Sequence, residues 1–202
     1  MDHFKKFTYE LENVKRSGKR PKLLLHSCCA PCSSYASETV SDVFDTTLYF
    51  YNPNIYPEQE HNRRRDELKR FLSEYDKDKK LDIIYERYSP IDFANCSFGL
   101  ENDMERGERC SKCYELRLSK TAEKAHQLGF DYFATTLTIS PHKDAIRINS
   151  IGDHYSKIYR IKYLHTDFKK KNGFKISLQI SEEYNLYRQD YCGCEFSAKS
   201  AK

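Results

Sequence analysis

KLLLHSCCAPCS, residues 22–33, runs three leucines and a histidine straight into Cys28, Cys29 and Cys32. An apolar run of that length, begun after Pro21 and stopped by a cysteine turn, reads as a buried strand, and residues 33–40 continue as a helix. A strand turning into a helix opens a βαβ unit.

The same alternation repeats outward from this point. TTLYFY, residues 46–51, is a strand of β-formers ended by Asn52-Pro53-Asn54, and residues 58–75 follow as a charged helix with Leu68, Phe71 and Leu72 inward. Residues 81–85 read as a third strand. Residues 111–128 place Tyr114, Leu118, Ala122, Ala125 and Leu128 at helical spacing, closed by Gly129. A fourth strand spans 131–136, and Ser140-Pro141 breaks it before a helix over 143–152. A fifth short strand is expected at 157–161, and residues 1–21 form an N-terminal helical extension. Strands separated by helices predict an α/β fold, a mainly parallel sheet with helices on both faces. With no Gly/Ser or Pro-rich linker and no internal repeat, the 202 residues are expected to form a single α/β metalloenzyme domain.

The eight cysteines fall into three groups, Cys28, Cys29 and Cys32, then Cys110 and Cys113, then Cys192 and Cys194, with Cys96 alone. Residues 1–21 mix charges and show no apolar export core, and no stretch approaches the ~20 apolar residues of a membrane span. A cytoplasmic, reduced protein is therefore expected, and there clustered thiols point to metal binding or catalysis rather than disulfides. CxC pairs are also badly placed to bond to each other. Cys29-Ala30-Pro31-Cys32 at a helix start is the pattern of a dithiol oxidoreductase, with a thiol acidified by the helix end. Cys110-x-x-Cys113 is equally half of a structural zinc site. Neither explains seven clustered thiols, which are enough for an iron–sulfur cluster beside a second metal with an open position, a pair suited to reductive chemistry. A structural zinc protein that binds RNA and a CxxC oxidoreductase stay open as alternatives. Cys96 reads as a packing thiol.

The net charge of +4 is concentrated in His61-Asn62-Arg63-Arg64-Arg65, in Lys77 to Lys80 and in Lys169-Lys170-Lys171. Such runs are usually solvated faces. With sixteen Tyr and twelve Phe they also suit a flexible nucleic acid, held by charge and stacking.

Six segments in order, LLHSCCAPCS (24–33), YNPNI (51–55), GERCSKCYELRL (107–118), TTLTISPHK (135–143), DFKKKNG (167–173) and LYRQDYCGCEFS (186–197), make the chain from about residue 22 to 197 resemble the QueH-type epoxyqueuosine reductases of tRNA queuosine biosynthesis. The resemblance implies a Rossmann-like fold of the HUP or PP-loop kind, with the cysteine turn in place of a phosphate loop. No Ser-Gly-Gly-x-Asp-Ser loop is present, so ATP is not expected. It implies removal of the epoxide oxygen of epoxyqueuosine in a tRNA with a GUN anticodon, without cobalamin. By the family pattern Cys28, Cys29, Cys110 and Cys113 hold a [4Fe-4S] cluster, and Cys32, Cys192 and Cys194 hold a second mononuclear metal, iron.

Epoxide deoxygenation takes two electrons and two protons. A cluster delivers electrons singly, so an external one-electron donor such as a ferredoxin or flavodoxin is expected as a partner, with the second metal polarising the oxygen. The candidate proton donors are His142, Lys143, Tyr187 and Tyr191. Asn52, Arg188 and Gln189 are candidates to orient the extruded nucleotide. His26, at the end of the first strand, either donates to a cluster sulfur or fills the rim. His3, His61, His126, His154 and His165 read as surface or structural residues.

Overall fold

Three consecutive leucines in a strand must point to alternate faces, and they do. The computed structural model describes residues 2–76 and 81–200 of the protein. In strand β1 (Lys22–His26), Leu23 and Leu25 enter one apolar core and Leu24 the other, all fully buried. Each such side chain contributes about 1.5–3 kcal/mol over its exposed state.

Five parallel strands, β1, β2 (Asp45–Phe50), β3 (Asp82–Tyr85), β4 (Tyr132–Thr135) and β5 (Lys162–Tyr163), form one sheet in the order β3-β2-β1-β4-β5. One face is covered by α1 (His3–Ser17), α2 (Ala30–Ser41), α3 (Glu58–Tyr75) and α7 (Gly173–Glu183), through residues such as Phe7, Val40, Leu68, Phe71 and Ile180. The other is covered by α5 (Glu108–Gln127) and α6 (Ala145–Tyr159), through Tyr114, Leu118, Ala122 and Ile148. Short helix α4 (Pro90–Ser97) lies between β3 and α5, and short helix α8 (Glu195–Ser200) follows Cys194. This is the expected Rossmann-like α/β architecture. Its strand order reverses between β1 and β4, which opens a crevice at their carboxyl ends. Among the described residues no helix is long and apolar enough to cross a membrane.

Several local expectations change. Residues 157–159 belong to α6, and the fifth strand is only Lys162–Tyr163. Lys157-Ile158-Tyr159-Arg160-Ile161 alternates like a strand, but α6 keeps Ile148, Asn149 and Gly152 buried while Ile158 stays exposed. The helix stops only where Arg160 enters the left-handed region at φ 54°. Gly152 belongs to the same contact, since a Cβ there would lie 2.3 Å from the Tyr163 ring. Helix α5 starts at Glu108, ahead of the expected 111, so Cys110 as well as Cys113 sits inside its first two turns. Helices α4 and α7 are additional to the elements expected from the sequence. The lysine run at 77–80 lies outside the described residues.

Candidate metal centre and active site

The turn after β1 is built by hydrogen bonds rather than by glycine. Ser27 N–H donates to the Tyr49 carbonyl at 2.9 Å, Ser33 Oγ donates to the Cys29 carbonyl at 2.8 Å, and the hydroxyls of Ser27 and Ser33 bond each other. Asn52 donates its amide to the Ser27 carbonyl at 2.8 Å. Below the turn, buried His26 links strand ends, with Nδ1 3.0 Å from Thr135 Oγ1 and Nε2 3.1 Å from the Tyr51 carbonyl. Burial first of all, with the Arg117 charge second, lowers its pKa to about 4. It is therefore a neutral clasp.

The turn brings the sulfurs of Cys28, Cys29 and Cys32 within 4.8 Å of one another, the one such group of potential metal ligands among the described residues. Hydrogen bonds from the thiols of Cys29 and Cys32 hold Cys28 well below the usual thiol range, and the same sharing raises Cys29 to about 11 and Cys32 further. One thiolate solvated by two thiols is what a metal-binding site looks like before the metal displaces its protons.

The other cysteines arrive from two more segments. Cys113 packs with Cys194 and Phe93 in a small buried cluster that Cys96 also touches. Cys110 accepts from the Arg106 N–H at 3.2 Å. The Cys192-Gly193-Cys194 loop is pinned at both sides: Tyr56 N–H donates to the Gly193 carbonyl at 2.8 Å, and Arg64 donates to the Cys192 carbonyl at 3.2 Å. A cavity of about 460 Å³ results, walled by Cys28, Cys32, Cys110 and Cys192, so all three cysteine groups meet at one edge of the sheet. Cys28 Sγ lies 3.7 Å from Thr136 Oγ1, across the point where strand order reverses.

Of the other expected site residues, Asn52, His142, Lys143, Arg188, Gln189 and Tyr191 line this cavity. Burial disfavours the charge of Lys143, but the sulfurs of Cys192, Cys28 and Cys32 outweigh it and raise its pKa. His142 is exposed at the mouth, 3.4 Å from Arg106. Gln189 donates to Cys29 Sγ at 3.2 Å, Arg188 to Ser181 Oγ at 3.1 Å, and Tyr191 to the Tyr56 carbonyl at 3.1 Å. Tyr187 does not reach the cavity wall. Its hydroxyl donates to the Glu60 carboxylate at 3.1 Å, and the Arg63 guanidinium sits 3.4 Å above its ring.

Two buried charged residues of the cavity wall escaped the sequence reading. Arg64 and Arg117 are both 2 % exposed. The first was hidden in a basic run that looked like a solvated face, yet its Nε pairs with Glu60 at 2.6 Å and His61 beside it is buried too. The second had a usable signal, its spacing of four from Cys113 on one helix face.

A wall of sulfur, without a carboxylate in its tightest group, fits a thiolate-held centre of the iron–sulfur or soft-metal kind. Fold and site together define a parallel α/β protein whose functional edge is built from cysteine. The comparison with known families makes this particular: the family model described as Epoxyqueuosine reductase QueH matches residues 23–200, and the chain belongs to that family. It is 45 % identical over 187 residues to the epoxyqueuosine reductase QueH of Streptococcus pyogenes, covering 92 % of this chain and 73 % of that protein. The Staphylococcus epidermidis protein of the same name is 42 % identical over 188 residues, covering 91 % and 79 %. That of Thermotoga maritima is 33 % identical over 178 residues, covering 87 % and 89 %. Membership makes the chain an oxidoreductase.

Proposed function

We propose that this protein reduces the epoxide of epoxyqueuosine at the wobble position of a tRNA with a GUN anticodon, yielding queuosine and water without cobalamin. The observation that carries the reading is the meeting of three cysteine groups from distant segments at one cavity of about 460 Å³, in a member of this family. That volume suits one extruded nucleoside rather than a helix, as base-directed enzymes require.

Cys28, Cys29, Cys110 and Cys113 would hold a [4Fe-4S] cluster, and Cys32, Cys192 and Cys194 a second, mononuclear iron. These groups supply electrons one at a time and Lewis acidity. A ferredoxin or flavodoxin in the cytoplasm provides the two electrons. The two protons that leave with the oxygen as water come from the chain. Lys143 is charged at the cavity wall and His142 stands at its mouth, so they are the assigned donors, with Tyr191 beside them. Tyr187 is assigned to bracing Glu60 and, through it, Arg64. Arg188 and the unpartnered Oε1 of Gln189 and Oδ1 of Asn52 orient the nucleoside.

Anaerobic purification, with iron, sulfide and zinc analysis, then incubation with dithionite and tRNA bearing epoxyqueuosine tests the reading. A brown protein with more iron than sulfide that converts the nucleoside, followed by mass spectrometry of the digested tRNA, supports it. A colourless zinc-loaded protein that converts none, even after iron–sulfur reconstitution, sinks it and favours an RNA-binding zinc protein.

A further inference from the structure

Arg117 is a buried cation without a carboxylate. It is among the largest fully buried side chains of the molecule. It sits one turn after Cys113 on α5, and its Nε donates to the Cys113 carbonyl at 3.2 Å. Its Nη2 has no hydrogen-bond partner, and among the described residues no acidic side chain pairs with it. The Tyr114 ring lies 5.7 Å away and steadies the guanidinium, but accepts no hydrogen bond from Nη2. A buried charge left in this condition costs several kcal/mol unless something nearby compensates it. Arg117 also lines the cavity beside Cys28, Cys110 and Cys192. Its charge and its idle donor therefore stand at the wall that the cysteines share.

We propose that Arg117 is a fixed counter-cation for the cysteine-held centre, a positioning residue that raises the reduction potential of the cluster and offers Nη2 as a donor to its sulfur. This rests on the functional reading above. Four thiolates leave the cluster negative, and reduction adds one more negative charge, so a permanent cation held nearby favours the reduced form. Lysine cannot reproduce the planar fork but retains the charge, whereas methionine and glutamine remove it.

The test is a potentiometric titration of the anaerobically reconstituted protein, followed by EPR, on wild type, Arg117→Lys, Arg117→Met and Arg117→Gln. The expected result is a shift to more negative potential in both neutral variants, with Arg117→Lys between them and wild type. If the neutral variants fail to take up the cluster while Arg117→Lys takes it up, the need for a positive charge is supported by that loss. An unchanged potential in either neutral variant overturns the inference. So does an Arg117→Lys shift as large as theirs, or loss of the cluster in all three, since then shape rather than charge is required. A wild-type protein that binds no iron–sulfur cluster overturns the functional reading and this inference with it, which separates that failure from the others.

Discussion

Gln189 Nε2 donates to Cys29 Sγ at 3.2 Å, tying the last cysteine segment of the chain to the first. The bond holds the lid-like 186–194 stretch against the β1 turn, and nothing in the spacing of the two residues announces it. Replacing Gln189 by Leu removes the donor while keeping the volume. Metal-free Gln189→Leu should lose about 1 kcal/mol of stability in urea unfolding, the ordinary worth of one hydrogen bond. It should also raise KM for tRNA in the reductase assay. Unchanged stability would mean that Gln189 serves the substrate alone.

Cys194 separates a two-centre enzyme from a dithiol one. Its side chain is buried beside Cys113, whereas Cys29 and Cys32 belong to the turn after β1. Cys194→Ser should lower turnover of epoxyqueuosine tRNA to below about one hundredth of wild type, since the loss of a ligand exceeds the 10–100-fold effect of an outer-shell change. It should also reduce the iron bound per chain. Full activity would favour the dithiol oxidoreductase.

Gly193 sits between two proposed ligands at φ 115°, a conformation L residues rarely adopt, and a Cβ there would lie 2.9 Å from Arg64 Nη1. Backbone strain of this kind costs about 1–3 kcal/mol. Gly193→Ala should therefore lower the melting temperature and displace Arg64 from the Cys192 carbonyl. A variant with wild-type stability and metal content would show that the loop adapts freely.

His61 sets part of the acid limit of stability. It is buried between Phe50 and Tyr88, with ring centroids at 5.2 and 4.4 Å, and burial lowers its pKa below 6.5. The folded state keeps it neutral while the unfolded chain takes up a proton below pH 6.5, so its contribution is full above that pH and is lost as pH falls through the folded pKa. His61→Gln should show a flatter decline of unfolding free energy below pH 6.5 than wild type. Parallel pH profiles for the two proteins would remove His61 from the account.

Much of this organisation was legible in one dimension. The Leu23-Leu24-Leu25 run, buried on both faces, could only be a central parallel strand, and the cysteine turn after it had to fall at the carboxyl edge of the sheet. The helix face Tyr114, Leu118, Ala122 and Ala125 was equally plain, and those residues all reach one core. Strand β5 was not legible, because two residues carry no period and the alternating pattern just before it belongs to the outer face of α6.

The sequence by itself determined the alternation of strands and helices, the layered fold and the cysteine segments, because periodicity and short-range grouping are local properties of the chain. Only the tertiary structure decided which side chains share the cavity. It buried Arg64 from within a basic run, turned Tyr187 onto Glu60, placed Cys96 beside Cys113 and Cys194, and buried Arg117 at the cysteine-walled cavity. Those outcomes depend on contacts between residues as much as 128 positions apart, as between Arg64 and Cys192. Such contacts form only when the sheet closes, and what a charged or phenolic side chain does is settled by the partner it then meets.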